Sequence, residues 1–248
     1  MTDPLALDLI EHPVFQRLKG IEQHGLNTLV FGEKSFTRFE HSLGVYALLV
    51  KYGASREEQI AGLLHDVSHT AYSHVGDHFF GHKDGKESWQ DLDHDNFILQ
   101  SGLAAVMKAR GFSLEDAQPK QARYTRLEQD LPDLCADRIN YIIHGGLVLD
   151  RISQNQVDGI NRALHFDEKL GEWWFSDADA AQNFSDTALW MTENCWGGKP
   201  EDFAASKWLV KGLRMAISDG TLTERDFRWG TNELVWSKLE RSHNKKVQ

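Results

Sequence analysis

Residues 63–82 read LLHDVSHTAYSHVGDHFFGH and contain five of the twelve histidines in the chain. These histidines stand at positions 65, 69, 74, 78 and 82, and Asp66 directly follows the first of them. An imidazole ring needs polar partners wherever it is buried, so packing alone gives histidines little reason to cluster. Metal ions and phosphate groups, in contrast, are bound by several histidines at once. The stretch therefore predicts a metal or phosphate site.

The composition is that of an ordinary globular protein. The 248 residues can bury a full core, and 41% are hydrophobic while 26% are charged. Cys135 and Cys195 are too few for a disulfide framework and indicate a reducing compartment. No apolar run approaches the roughly 20 residues that span a bilayer, and the first residues are acidic where a secretion signal would be basic. The predicted location is the cytoplasm.

The net charge of −10 bears on the class of partner. A surface that binds a nucleic-acid polymer needs clustered Lys and Arg, and no such cluster is present in the sequence. A small phosphorylated substrate would be repelled at long range and would need a local cation. We therefore expect a small phosphorylated ligand, with neither a nucleic-acid polymer nor a membrane as partner.

The hydrophobic pattern predicts an all-α fold, a mostly helical bundle with one small β-hairpin. Apolar positions three and four residues apart mark the helices, and Ser55 with Glu58 forms a predicted capping box. The predicted helices are residues 12–25, 35–53, 55–66, 74–80, 95–110, 131–144, 179–195, 200–218 and 231–241. Residues 28–31 are predicted to be extended, residues 81–95 to form a polar loop, residues 163–176 to form the hairpin, and Gly145–Gly146 to end the helix before them.

Two regions are expected along the chain. Residues 1–150 would form the core that carries the histidine-rich stretch, and residues 151–248 would pack on it as a C-terminal extension. Seven of the eight tryptophans lie between residues 173 and 236, which predicts a separate aromatic cluster in the extension. Its apolar residues could bury one another or pair two chains, so a homo-oligomer remains open.

Four residues on three predicted helices are candidate metal ligands. His41 lies within the second predicted helix, His65 and Asp66 end the third, and Asp137 lies on the predicted helix 131–144. Adjacent helical residues point about 100° apart, so one ion can bind both members of the HD pair only when it lies close to the helix flank, between helices. Two imidazoles and two carboxylates suit one divalent metal ion, namely Mn, Fe, Ni, Zn or Mg.

The segments around these residues resemble a known superfamily. RFEHSLGVYALL (38–49), AGLLHDVSHTAYSHVGD (61–77) and CADRINY (135–141) are similar, in order and spacing, to the H…HD…D motif of HD-domain metal-dependent phosphohydrolases. With HPVFQRLKGIEQHG (12–25), they resemble most closely the deoxynucleoside triphosphate triphosphohydrolase branch. The resemblance covers about residues 10–145 and is weak in the last hundred residues.

The resemblance implies a role for each matching residue. It implies that His41, His65, Asp66 and Asp137 bind the metal, and that His69 contacts the adjacent phosphate. It implies that His74, held by Asp77, is catalytic and that His94 is a second catalytic histidine, which donates a proton to the leaving oxygen. Substrate contacts are implied for Gln16 and Arg38, at the sugar and phosphate, and for Tyr141, near the sugar.

The spacing of the residues is compatible with these roles. His74 and Asp77 are three residues apart, so on a helix the carboxylate can fix the imidazole tautomer and keep the ring basic. Arg38 precedes His41 by three positions and shares its helix face, which puts a guanidinium where a phosphate would lie. One cation site with one arginine would attract an anion locally despite the negative net charge.

One departure from the branch concerns the sugar. The triphosphohydrolases have an aspartate eight positions after the last metal ligand, where it meets the 3′-hydroxyl group, whereas this chain has Gly145. The predicted activity is therefore cleavage of a P–O bond, by a metal-activated water, in a nucleotide (deoxynucleotides included) or a related small phosphate ester.

Two other functions remain open on the sequence. A dinuclear-iron HD-type oxygenase of organophosphonates would need two further histidines between Asp66 and Asp137. His94 could supply one, but no histidine lies between residues 95 and 136. A non-catalytic nucleotide-binding HD module would have no use for the His74–Asp77 pair or for His94.

Overall fold

The computed structural model describes residues 3–81, 88–195 and 199–247. His82, one of the five clustered histidines, and residues 83–87 of the predicted polar loop lie outside these ranges. Residues 89–95 of that predicted loop are helical, so this part of the prediction is wrong. Within them the chain forms fourteen α-helices: α1 (Pro4–Glu11), α2 (Pro13–Gln16), α3 (Asn27–Phe31), α4 (Arg38–Lys51), α5 (Arg56–Leu64), α6 (Val75–Phe80), α7 (Trp89–Ser101), α8 (Leu103–Ala109), α9 (Ala136–Val148), α10 (Gln154–Ala163), α11 (Ala178–Asn194), α12 (Pro200–Ser218), α13 (Glu224–Trp229) and α14 (Asn232–Glu240).

The predicted all-α fold with one hairpin is confirmed. The two strands β1 (Leu164–Asp167) and β2 (Glu172–Phe175) pair antiparallel, with Leu164 opposite Phe175. No helix in the described ranges is both long and apolar enough to cross a bilayer.

Helices α4, α5 and α9 pack together and carry the residues of the HD motif. Thr37 begins α4 with a complete capping box, because its hydroxyl accepts from the Glu40 amide while the Glu40 carboxylate accepts from the Thr37 amide. Ser55 begins α5 and accepts from the Glu58 amide. The predicted box at Ser55 is only half formed, because the Glu58 carboxylate instead accepts from the amides of Arg126 and Leu127.

The segment before α4 differs from the prediction. The helix begins at Pro13 as predicted, but α2 is one turn long and continues as a 3₁₀ turn over Arg17–Gly20. Residues 21–23 then run alongside residues 36–38, with backbone bonds from the Gln23 amide to the Phe36 carbonyl and from the Arg38 amide to the Ile21 carbonyl. This pairing brings the residues after Ile21 to the start of α4.

Three further predictions of local structure are wrong. Residues 28–31 are helical, within α3. The predicted helix 95–110 is two helices separated at Gly102, which has a φ of +89°, and α7 begins early enough to include His94. Gly145–Gly146 lie inside α9, which continues to Val148. These two glycines let α11 approach closely, because a Cβ on Gly145 would lie 2.4 Å from Met191 Cε.

The C-terminal extension packs on the rest of the chain. Trp173 meets Tyr52 edge to face, and Trp229 stacks on Phe97 at 4.0 Å between ring centroids. A third cluster joins Tyr72 and Phe79 to apolar residues of α12, α13 and α14. In the described ranges Trp173 and Trp229 thus pack against residues of the first 150 and not in a separate aromatic cluster, so the prediction is wrong for these two.

Candidate metal and phosphate site

Three chain segments bring the four predicted metal ligands together. His41 lies in the second turn of α4, and Asp137 lies in the first turn of α9. Helix α5 ends at Leu64, so His65 caps it and Asp66 follows in the turn. His65 and Asp66 therefore lie just past the end of the helix. Their side chains are not held 100° apart by helical geometry and can face the same ion.

The ligand atoms of these residues converge. His41 Nε2 lies 2.8 Å from Asp137 Oδ1 and 3.1 Å from His65 Nε2, and His65 Nε2 lies 3.4 Å from Asp137 Oδ1. Asp66 Oδ2 is 3.6 Å from His41 Nε2 and 3.5 Å from His65 Nε2. All four are buried or nearly so.

Hydrogen bonds on the far side of each ring fix the two histidine tautomers. His41 Nδ1 donates to Asn140 Oδ1 at 2.8 Å, and His65 Nδ1 donates to the Gly62 carbonyl at 2.7 Å. In the neutral rings both Nε2 lone pairs therefore point at each other and at a carboxylate oxygen, an arrangement of acceptors that a bound metal cation or a proton relieves. Burial alone would lower the pKa of His65, but the carboxylates of Asp66 and Asp137 raise it to about 10. The residues fit one divalent cation.

Replacing Asn140 with alanine tests whether its hydrogen bond to His41 Nδ1 contributes to metal binding. The variant removes the acceptor that holds the His41 tautomer, and we expect metal affinity to fall by roughly 10- to 100-fold, the usual loss for such a supporting partner. Asn140→Asp keeps an acceptor for His41 Nδ1 and is expected to bind metal nearly as tightly as the wild type. Equal metal affinity in Asn140→Ala and the wild type, measured by calorimetric titration with Mn²⁺, would contradict this role.

Arg38 connects the ligand set to the histidines of the loop after α5. Its Nη1 donates to Asp66 Oδ2 at 2.6 Å, its Nε donates to Ser73 Oγ at 3.0 Å, and its Nη2 lies 3.4 Å from His74 Nε2. Burial opposes ionisation of Asp66, but the Arg38 guanidinium and neighbouring histidines hold its pKa well below the usual range. The guanidinium is thus buried and fixed beside the ligands.

His69 and His74 lie on the same side of the site, with ring centroids 5.1 Å apart. His69 Nε2 is 3.2 Å from Asp66 Oδ1, and its Nδ1 is buried with no hydrogen-bond partner in the described ranges. His74 immediately precedes α6 and has a side chain that is 65% exposed. Its Nδ1 donates to Asp77 Oδ2 at 2.9 Å, and Asp77 also accepts from the Trp89 amide. The predicted His74–Asp77 pair is therefore formed.

Three predicted residues make other contacts. Gln16 donates to the Ile10 carbonyl at 2.6 Å. His94 is buried, and its Nε2 donates to the Leu64 carbonyl at 3.0 Å, so proton donation from that nitrogen would first require this bond to break. The Tyr141 ring is half-buried, with its centroid 6.3 Å from that of His41. Their roles in substrate binding and catalysis remain predictions.

The structure adds residues that the sequence interpretation missed. Asn140 lies three positions after Asp137, a helical spacing that could have revealed it. Gln23 and His24, in the segment IEQHG, line a cavity of about 490 Å³ together with Tyr72, His74, Cys195 and Phe203. Nothing in the composition of that segment marks it as part of a cavity, because tertiary pairing with residues 36–38 places it there.

A second group of potential ligands adjoins the first. Glu128, Cys135 and Asp137 have ligand atoms within 4.8 Å of one another in the described ranges. Burial raises the pKa of Glu128 to about 8 and that of the Cys135 thiol to about 12. Both groups hold their protons near neutral pH, so the group around His41 and His65 is the better cation site.

Comparison with known proteins identifies the class. The HD domain family matches residues 38–139, a range that contains all four predicted ligands. Residues 38–139 belong to the HD-domain superfamily of metal-dependent phosphohydrolases, as the motif predicts.

The similar proteins differ in how much of them the chain covers. An uncharacterised protein of Bacillus subtilis, YdhJ, is 43% identical over 99% of this chain and 74% of its own length. The metal-dependent phosphohydrolase cns2 of Cordyceps militaris is 30% identical over 66% of this chain, and the deoxynucleoside triphosphate triphosphohydrolase SAMHD1 of Danio rerio is 38% identical over 46%. The matched regions are 47% of cns2 and 22% of SAMHD1.

A solved structure shares the fold. The crystal structure of a hypothetical protein from Aquifex aeolicus superposes with a TM-score of 0.70 at 23% identity, covering 96% of this chain and 68% of that one.

Proposed function

We propose that the protein hydrolyses a P–O bond of a nucleotide, with one divalent metal ion held by His41, His65, Asp66 and Asp137. The observation that supports this most strongly is the position of Arg38, whose guanidinium contacts both the predicted metal ligand Asp66 and the imidazole of His74. A phosphate at this position would meet opposite charge on two sides.

The metal ion and the side chains divide the chemistry. A divalent ion at this site would polarise phosphoryl oxygens and lower the pKa of a water molecule. Arg38 holds the phosphate, and the Asp77 carboxylate keeps the His74 Nε2 available to accept or donate a proton. Cleavage forms a new P–O bond to water and breaks the bond to the leaving oxygen, which gains a proton. The exposed His74 ring is placed for that proton transfer.

The cavity beside His74 is the proposed site for the nucleoside. Its volume of about 490 Å³ lies within the range of roughly 300–1,000 Å³ that small-ligand sites occupy. Gln23 lines it, and the Gln23 carbonyl accepts from Arg38 Nη2 at 3.4 Å, so the cavity adjoins the phosphate position. A nucleotide could then bind with its phosphate at Arg38 and its sugar and base in the cavity.

His24 is the proposed contact to the sugar. A Cβ on Gly145 would lie 2.4 Å from Met191 Cε and 3.5 Å from His24 Nε2, so Met191 and His24 fill the place of the aspartate of the triphosphohydrolases. His24 is 5% exposed, and both of its ring nitrogens lack a hydrogen-bond partner in the described ranges. Burial, helped by Arg38, lowers its pKa to about 4, so the ring is neutral and offers one donor and one acceptor.

The prediction for His24 concerns substrate affinity. We expect His24→Leu to raise KM for the nucleotide by about tenfold, because one buried hydrogen bond is lost, while His24→Gln retains most of the affinity. Inhibition by inorganic triphosphate, which has no sugar, should be unchanged in both variants. Steady-state kinetics with unchanged KM in His24→Leu would exclude the contact.

The function is tested by phosphate release in the presence of Mn²⁺ from deoxynucleoside triphosphates, ribonucleoside triphosphates and nucleoside monophosphates. We expect release of phosphate or triphosphate from at least one nucleotide class. Release of inorganic triphosphate would identify the deoxynucleotide activity despite Gly145. A metal-loaded chain that releases nothing from any nucleotide would refute the proposal.

A further inference from the structure

The turn between His69 and His74 has an unfavourable backbone. Tyr72 and Ser73 have φ values of +59° and +52°, in the left-handed region that side chains with a Cβ rarely adopt. Such a conformation persists only where surrounding contacts impose it, and it is common next to active sites. Here it reverses the chain, so that His69 and His74 meet on one side of the ligand set.

The C-terminal segment of residues 227–232 supplies contacts that impose this turn. The Tyr72 amide donates to Asn232 Oδ1 at 2.7 Å, and the Tyr72 hydroxyl donates to the Asn232 carbonyl at 3.0 Å. The Ala71 amide donates to the Phe227 carbonyl at 3.1 Å. Two successive amides of the turn therefore depend on residues more than 150 positions away.

Arg17 ties the same segment to the start of the loop. Its guanidinium donates to the carbonyls of Val67 at 2.8 Å and His69 at 2.9 Å, and to the Gly230 carbonyl at 3.2 Å. Arg17 is buried, and this burial lowers its pKa to about 9. The C-terminal segment is thus linked to the loop after α5 at two places, through Arg17 at Val67 and His69 and directly at Tyr72.

The opposite side of the turn faces the ligand set. Ser73 Oγ donates to the Glu22 carbonyl at 2.7 Å and accepts from Arg38 Nε at 3.0 Å. The turn is held between Arg38, which contacts Asp66, and Asn232, which contacts the Tyr72 backbone. A shift of Tyr72 would therefore move His74 relative to Arg38.

We propose that Asn232 is a positioning residue for His69 and His74, and that residues 227–232 form part of the catalytic apparatus although they lie outside the matched HD domain. This inference rests on the proposed function. Asn232 is distant in sequence from every predicted site residue and acts through the turn, without touching the substrate.

The test compares three single variants in the full-length, metal-loaded chain. Asn232→Ala removes the acceptor, and we expect kcat to fall between about tenfold and a hundredfold, the range that a small misplacement of a catalytic group produces. Both KM and metal content should stay unchanged. Asn232→Asp retains an oxygen acceptor for the Tyr72 amide and a favourable charge in the first turn of α14, so it should restore kcat. Thr223→Ala removes the N-cap of α13 without touching the turn, and it should leave kcat unchanged.

The outcomes separate positioning from stability. If Asn232→Ala keeps the wild-type kcat, or if Thr223→Ala loses as much activity as Asn232→Ala, the proposal is overturned. Asn232→Leu, which is close to asparagine in volume, replaces the alanine variant if that variant does not fold.

A second measurement does not depend on turnover. The imidazole proton chemical shifts of His69 and His74, assigned with His69→Gln and His74→Gln variants, should change in Asn232→Ala and remain in Asn232→Asp and Thr223→Ala. If the wild type hydrolyses no phosphate ester, the proposed function fails while these shifts still decide the role of Asn232. Unchanged shifts in Asn232→Ala would overturn the inference.

Discussion

His65→Ala is expected to lose bound metal and at least about a hundredfold of activity, more than the loss of a supporting outer partner produces. His65 Nε2 lies within 3.5 Å of ligand atoms of His41, Asp66 and Asp137, so its removal leaves three ligands around a cation that four would hold. Ligand loss of this kind weakens metal binding and removes the chemistry that the ion supplies. Elemental analysis and phosphate release on the same sample measure both effects.

The control for this variant is His165→Ala. His165 lies on β1, where its Nε2 bonds to Ser176 Oγ at 2.9 Å and its ring stacks on Trp174. We expect it to keep full metal content and activity. If His65→Ala retained both, the assignment of the metal site would be wrong.

His74→Ala is expected to lower activity without loss of bound metal, in contrast to His65→Ala. The ring is bonded to Asp77 and lies beside Arg38, outside the set of convergent ligand atoms. Its removal should lower kcat by about 10²- to 10⁴-fold, the usual contribution of a general acid or base, while metal content stays at the wild-type level. Steady-state kinetics and elemental analysis check the two halves of this prediction.

A neighbouring histidine provides the control. His78 lies one turn later on α6, against the Phe203 ring, and lines the same cavity as His74. His78→Ala should therefore change KM but keep kcat within a few-fold of wild type. Loss of metal in His74→Ala would make His74 a ligand, and an unchanged kcat would remove it from the catalytic mechanism.

The sequence predicted the helices whose apolar period is long. Helix α4 was predicted because its apolar residues repeat every three to four positions. Its capping box, formed by Thr37 and Glu40, was not predicted. The predicted metal ligands depended on a motif with fixed order and spacing, and the structure brings His41, His65 and Asp137 together with Asp66 beside them.

The secondary structure of short segments was predicted wrongly where tertiary contacts determine the backbone conformation. Residues 28–31 have β-branched and aromatic side chains that favour a strand, yet they are helical because a turn at His24–Leu26 continues into α3. Gly145 and Gly146 are poor helix formers in isolation, but in α9 they face Met191 and Thr187 of α11, where a larger side chain would clash. Neither contact can be deduced from local sequence.

Apart from Asn140, the residues that support the site could not be predicted from local sequence. Asn232 reaches Tyr72 across 160 positions, and Arg17 contacts the His69 carbonyl across 52. Such contacts follow from the packing of α13 and α14 against the loop after α5. A motif identifies the side chains that carry the chemistry, whereas the residues that hold them can lie anywhere in the chain.

The central claim is most directly tested by measuring phosphate release from nucleotides by the metal-free chain as Mn²⁺ is added in known ratio to protein. We predict no release without metal and a rise that saturates at one Mn²⁺ per chain. Release that is unaffected by metal removal would contradict the metal-dependent mechanism, and saturation at two ions per chain would contradict the single site formed by His41, His65, Asp66 and Asp137.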